Sequence, residues 1–150
     1  MKQLAIDYAT IVDGRSAQDI RIIYWIAPPT EDRGPAADLA DKYVIIGVAR
    51  GHISLEGSVT FDAIDNLQVK DASARPLHLL TGEEIPPLVA GVVAAMESAF
   101  GQTLGAFGKG MHWFVFAGGS VHACGNGGIS IPFAGETYTY DTPFPGCPHA

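Results

Sequence analysis

Positive charge is scarce in this chain. Nine Lys and Arg stand against sixteen Asp and Glu over 150 residues, a net charge of −7. Nowhere do the basic residues gather into a patch that would bind phosphates by releasing counterions. Nucleic acid and an anionic membrane surface are therefore excluded as expected partners, and the acidic balance reads as a solubility feature. Charge of either sign is thin as well, at 17% against 47% hydrophobic residues, which describes a folded domain with a large apolar core rather than a disordered segment.

Long hydrophobic runs are missing too. The start, Met1 to Asp7, has neither the apolar run nor the small-residue cleavage site of a signal peptide, and no lipidation signal stands at either end. The longest weakly charged stretch, Ile85 to Phe107 with Glu97 as its one acid, is too rich in Ala, Gly, Ser98, Gln102 and Thr103 for a membrane span. The glycine-rich stretches Gly118-Gly119-Ser120 and Gly125-Asn126-Gly127-Gly128 lack the lysine and following helix of a phosphate-binding loop, and read as turns. No G-x-S-x-G, H-E-x-x-H or C-x-x-C motif occurs, which removes the local signatures of several hydrolase, protease and redox families. No catalytic residues are predicted.

What is present is periodicity. A single α+β domain over residues 1–150 is expected, a mainly antiparallel sheet packed against one long helix and finished by a C-terminal meander. Leu4, Ile6 and Tyr8 alternate with polar or small residues in a strand from Gln3 to Val12, ended by a turn at Asp13-Gly14. Asp19 to Ala27 starts in alternation and becomes apolar on both faces, as in a strand entering the middle of a sheet. Further strands are predicted over Tyr43–Ala49, Gly51–Asp62 and Leu67–Lys70, with a polar, proline-rich loop from Pro28 to Asp41 that has no calcium-loop pattern. After the helix, strands are predicted over His112–Ala117, Val121–Cys124, Ile129–Phe133 and Thr137–Asp141, and Pro132 suggests an edge or an interruption.

Thr81 and Glu84 have capping-box spacing at the start of the helix, where Pro86 and Pro87 are tolerated only in a first turn. Leu88, Val89, Val92, Val93, Met96, Phe100, Leu104 and Phe107 recur at helical spacing as one apolar stripe. The opposite side carries Ala90, Gly91, Ala94, Ala95, Ser98, Gly101 and Gly105 instead of Lys and Glu. Small residues let another backbone approach closely, so this face is a candidate interface, covered either by another part of the domain or by another subunit.

The two cysteines sit in mirrored settings, His122-Ala123-Cys124 and Cys147-Pro148-His149. The meander between them would bring both to one end of a sheet. One reading is a Cys124–Cys147 disulfide that tethers the proline-rich tail, stabilising by about 3 kcal/mol and implying an extracytoplasmic life. Another is a zinc or copper site made of His122, Cys124, Cys147 and His149, although neither side has zinc-knuckle spacing. A third leaves two unpaired cysteines.

The remaining histidines offer less. His52 and Glu56 are predicted on one strand face but too far apart to share a proton, His112 beside Trp113 reads as a core or edge residue, and His78 has no partner that the sequence identifies. The function expected is a non-enzymatic binding or assembly protein that works through a protein partner or as a homo-oligomer, without a cofactor. One alternative is a carrier whose apolar pocket is lined by Tyr24, Trp25, Phe61, Met96, Phe100, Trp113 and Phe116. The other is a metal-binding protein built on the Cys/His set.

Overall fold

Which way a side chain points along the pleat of each strand decides the layers of this molecule. The computed structural model describes residues 10–16, 18–25, 42–103, 110–118, 121 and 127–142. Along them run β1 (Thr10–Ser16), β2 (Asp19–Trp25), β3 (Tyr43–Ile53), β4 (Val59–Phe61), β5 (Lys70–Asp71), β6 (Leu79–Leu80), a 3-10 turn (Gly82–Glu84), helix α1 (Pro87–Thr103), β7 (His112–Ala117), β8 (Gly127–Phe133) and β9 (Glu136–Thr142). The architecture is α+β, mainly antiparallel, with one helix among the described residues. No helix among them is long and apolar enough to cross a membrane.

A six-stranded sheet has the order β1-β2-β3-β7-β6, with β4 also pairing with β3, and all its ladders are antiparallel. Its middle strands are apolar on both faces, which lets the sheet be covered twice. On one side Ile23, Trp25, Val44, Ile46, Val48 and Phe116 meet Ile129, Ile131, Phe133 and Tyr140 of a second sheet, ordered β5-β8-β9. Trp25 and Tyr140 meet edge to face at 5.6 Å, and the Tyr140 hydroxyl donates to the Ile23 carbonyl at 3.1 Å. On the other side the fully buried Val89 of α1 packs with Ile45 and Val115, flanked by Val92 and Val93. Met96 packs against a cluster of Ile22, Tyr24, Ala49 and Met111. The described residues thus form three layers: helix, large sheet, small sheet.

Several local readings change. β1 continues through Asp13-Gly14 to Ser16, because Asp13 and Gly14 pair with Arg21 and Ile20 of β2. The two strands expected around Gly51 are one strand, β3. Gly51 is buried between Ile20 of β2 and Phe61 of β4, where the absence of a side chain does not interrupt a ladder held on both edges. The strand expected over Gly51–Asp62 instead folds back at Ser54–Ser58, where Gly57 takes φ 87° and the Gly57 N–H donates to the Ser54 carbonyl. Glu56 is therefore in a turn, away from the His52 face. β6 had no periodic signal, being two residues long. In the Leu67–Lys70 segment only Lys70 joins a named strand, although Leu67 and Val69 are buried.

The Thr81–Glu84 box closes the 3-10 turn rather than the α-helix: the Thr81 N–H donates to Glu84 Oε1 at 3.1 Å. Ile85, which precedes Pro86, is extended, and α1 starts at Pro87, where the missing N–H costs nothing. In the small sheet β8 is flanked by β9 and, at Ile129 and Ser130 only, by β5. Pro132 lies past the end of β5, so its lack of an N–H breaks no ladder bond on that side. Of the strand expected over Val121–Cys124, all but Val121 lies outside the described residues, as do the loop from Pro28 to Asp41 and the end of the helix stripe at Leu104 and Phe107.

Candidate functional site

Arg21 is the one charged residue among those described that is fully buried, at 4% exposure. Its position follows from strand parity. β2 presents Asp19, Arg21, Ile23 and Trp25 to the small sheet, and the ladders set Asp13 of β1 and Arg50 of β3 on either side of Arg21. A buried guanidinium requires partners for its donors. Arg21 Nε and Nη2 donate to the two oxygens of Asp19 at 3.0 and 2.9 Å, and Nη1 donates to the Tyr138 hydroxyl at 3.0 Å.

From this centre the network extends both ways. Arg50 reaches the same Asp19 carboxylate at 3.1 and 3.3 Å, and approaches Asp62 at 3.6 Å. Asp62 meets His52 Nε2 at 2.8 Å, while His52 Nδ1 contacts the Gln18 carbonyl. In the other direction the Tyr138 hydroxyl donates to Asp13 Oδ2 at 2.6 Å, and Arg15 bridges Asp13 at 3.2 Å to Glu136 at 3.1 Å. The contacts span β1, β2, β3, the residue after β4, and β9, joining the two sheets along one rim.

The electrostatics follow from these partners. Hydrogen bonds from Arg21, then Arg50, hold the Asp19 carboxyl well below the usual range, and the Arg21 guanidinium is correspondingly harder to deprotonate. The Tyr138 and Arg15 donors lower Asp13. Tyr138 is raised, by burial first and then by its bond to Asp13. His52 is raised by the Gln18 carbonyl, then by Asp62. Three Arg21 donor bonds go to Asp19 and Tyr138, so its charge ties strands together.

Two smaller features lie elsewhere. His78 Nε2 pairs with Glu84 Oε2 at 2.9 Å, and that contact together with the Thr81 N–H lowers the Glu84 carboxyl. Both side chains are exposed. A shallow groove of about 250 Å³ runs along the small sheet, lined by Asp71, Ala72, Gly127, Gly128, Ser130 and Asp141 among others.

The residues singled out in the sequence are distributed as follows. Ala90, Gly91, Ala94, Ala95 and Ser98 are exposed on the side of α1 away from the sheet, Gly101 is half-buried, and Gly105 lies outside the described residues. Tyr24, Phe61, Met96 and Trp113 gather on the helix side of the large sheet, whereas Trp25 and Phe116 are on its other face, so the sheet separates them. The Phe100 side chain is outside what is described. His122, Cys124, Cys147 and His149 are outside it as well. The β8–β9 register sets Gly127 opposite Thr142, so the chain leaves that hairpin in both directions from one end. Among the described residues no three His, Cys, Asp or Glu side chains converge as metal ligands.

The charged rim was not anticipated as a unit. Its one sequence signal was an arginine two residues before Ile23 in a strand moving into the core, a position that demands a counter-ion. Which acids would answer it depends on cross-strand register. Comparison with known protein families, with characterised proteins and with solved structures finds no match to this chain.

Proposed function

We propose that the protein is a non-enzymatic assembly module acting through protein–protein contacts, with the outward face of α1 as its contact surface and a second copy of the chain as the partner. The observation that carries this reading is Gly91. It lies inside a helix, where glycine costs about 1 kcal/mol relative to Ala, yet a Cβ placed there would meet nothing within 4 Å. No packing among the described residues asks for a glycine at that point. Close approach of another helix does, since interaxial distance is set by the side chains at the contact.

The surrounding surface supports the same reading. Ala90, Ala94, Ala95 and Ser98 are exposed beside Gly91, and Leu88 is 58% exposed on the flank. Glu97 is the only charged residue of α1. Such a face can meet its own copy about a two-fold axis without like-charge repulsion, despite the net charge of −7. Sedimentation at rising concentration tests the proposal. The wild type is expected to dimerise, and Ala95→Arg, placed where no fold contact is lost, is expected to stay monomeric. A wild type that remains monomeric throughout overturns it.

A Cys124–Cys147 disulfide belongs with this reading. It is supported by the common exit of the chain at Gly127 and Thr142, from which both cysteines are only a few residues away. A cross-link there would hold the proline-rich tail to the small sheet.

A further inference from the structure

Each ring nitrogen of His52 meets an acceptor. It lies two residues beyond Arg50 on β3, so the two side chains share the side of the sheet that carries the ionic rim. Nε2 is 2.8 Å from Asp62 Oδ1, and Nδ1 contacts the backbone carbonyl of Gln18. A carboxylate and a carbonyl both accept. A neutral imidazole has one N–H and can answer only one of them, while the imidazolium answers both.

The charge count agrees. The connected ion pairs contain the carboxylates of Asp13, Asp19, Asp62 and Glu136 and the guanidiniums of Arg15, Arg21 and Arg50. Four negative groups against three positive ones leave one charge to be balanced, and the ring of His52 stands at that end of the row.

We infer that His52 is a pH-operated latch: as an imidazolium it ties the Gln18 carbonyl, beside the start of β2, to Asp62 at the end of β4, and on losing its proton it releases one of the two ties and loosens the β1–β2 turn. The groups that face it are Asp62 from beyond β4, Arg50 from β3 and the Gln18 carbonyl before β2. Gln18 and Asp62 favour the charged ring, whereas Arg50 opposes it, and the net effect raises the pKa. The Asp19 carboxylate nearby is engaged by Arg21 and Arg50. The ring is about a third exposed, at 30%, so the proton exchanges with solvent without any opening of the fold.

The sign follows from linkage. The folded value lies above the unfolded one, so the latch contributes fully below about pH 6.5 and is lost as pH rises through the folded value. Ring-nitrogen NMR across a pH titration, with His52 assigned by the signal missing from His52→Gln, reads the state directly. Both ring nitrogens are expected to carry protons below the midpoint, which is expected to lie above about 6.5. Amide exchange at Gln18 to Ile20, corrected for the intrinsic pH dependence, is expected to accelerate about tenfold through that midpoint. His52→Gln should show no such step. A midpoint at or below about 6.5 overturns the proposal, and so does an exchange step that persists in His52→Gln. Should that variant not fold, Asp62→Asn decides: the latch requires the His52 midpoint to fall, and an unmoved midpoint refutes it.

Discussion

The Tyr138 hydroxyl donates to Asp13 Oδ2 at 2.6 Å while it accepts from Arg21 Nη1 at 3.0 Å, so one side chain of β9 bridges two strands of the large sheet. Removing that oxygen takes one of two donors from Asp13 Oδ2, which keeps Arg15, and leaves the Arg21 Nη1 bond unmade. Tyr138→Phe is expected to lower stability by about 1–2 kcal/mol, kept modest because Asp13 is partly hydrated. Urea unfolding followed by circular dichroism measures it. A change within error would mean that water replaces the hydroxyl at no cost.

Gly47 and Gly91 are expected to respond oppositely to alanine. A Cβ at Gly47 would come within 2.6 Å of the Trp113 ring across the β3–β7 ladder, so Gly47→Ala should destabilise by about 1–3 kcal/mol. At Gly91 the space is open, and Gly91→Ala should stabilise the monomer by up to about 1 kcal/mol through helix propensity alone. Urea midpoints of the two variants at low concentration, where assembly does not intervene, make the comparison.

Acid resistance is expected from Asp19 and Asp13, whose carboxyls are both held low. For a depressed carboxyl the contribution is present above the unfolded value of about 3.9 and is lost as pH falls through the folded value. The rim should therefore survive the ordinary carboxylate range and fail below it. Asp19→Asn leaves the buried Arg21 without its counter-charge, and stability should fall at neutral pH. Acid titrations of both proteins by circular dichroism show whether the low-pH transition moves upward in the variant.

For the cysteines, an intact mass under native, non-reducing conditions is expected to be lower by two hydrogens than the reduced chain. Reduced protein carrying one zinc would instead assign the thiolates to a metal and reopen enzymatic function. Unmodified, metal-free thiols would remove both readings.

How much of this was legible depended on which interactions a one-dimensional pattern can carry. The period of Val89, Val92, Val93 and Met96 announced the helix, and the two-sided apolar character of Ile22 to Trp25 and Trp113 to Phe116 announced central strands, because burial imposes those repeats directly. Asp13-Gly14 misled, since a turn dipeptide inside a ladder is kept in the pairing by Arg21 and Ile20 across from it. Gly51 misled for the same reason. The ionic rim was hidden because Asp13, Arg21, Arg50, Asp62 and Tyr138 become neighbours only through strand pairing. The exposed face of α1 was readable as small and uncharged, whereas its lack of cover needed coordinates.

The position of β3 has a bearing on the order in which the molecule assembles itself. One edge of β3 is occupied by β2, while the other is divided end to end between β7, beside Tyr43–Val48, and β4, beside Gly51–Ile53. The β1–β2, β3–β4 and β8–β9 pairs close over short loops, but β7 must return to β3 from beyond α1. Distant pairings of that kind carry the larger chain-closure cost and form late. Docking of β7 is therefore the expected rate-limiting event. Until it happens, half of one edge of β3 stays open, and that interval is when a newly made chain is most exposed to pairing with a neighbour.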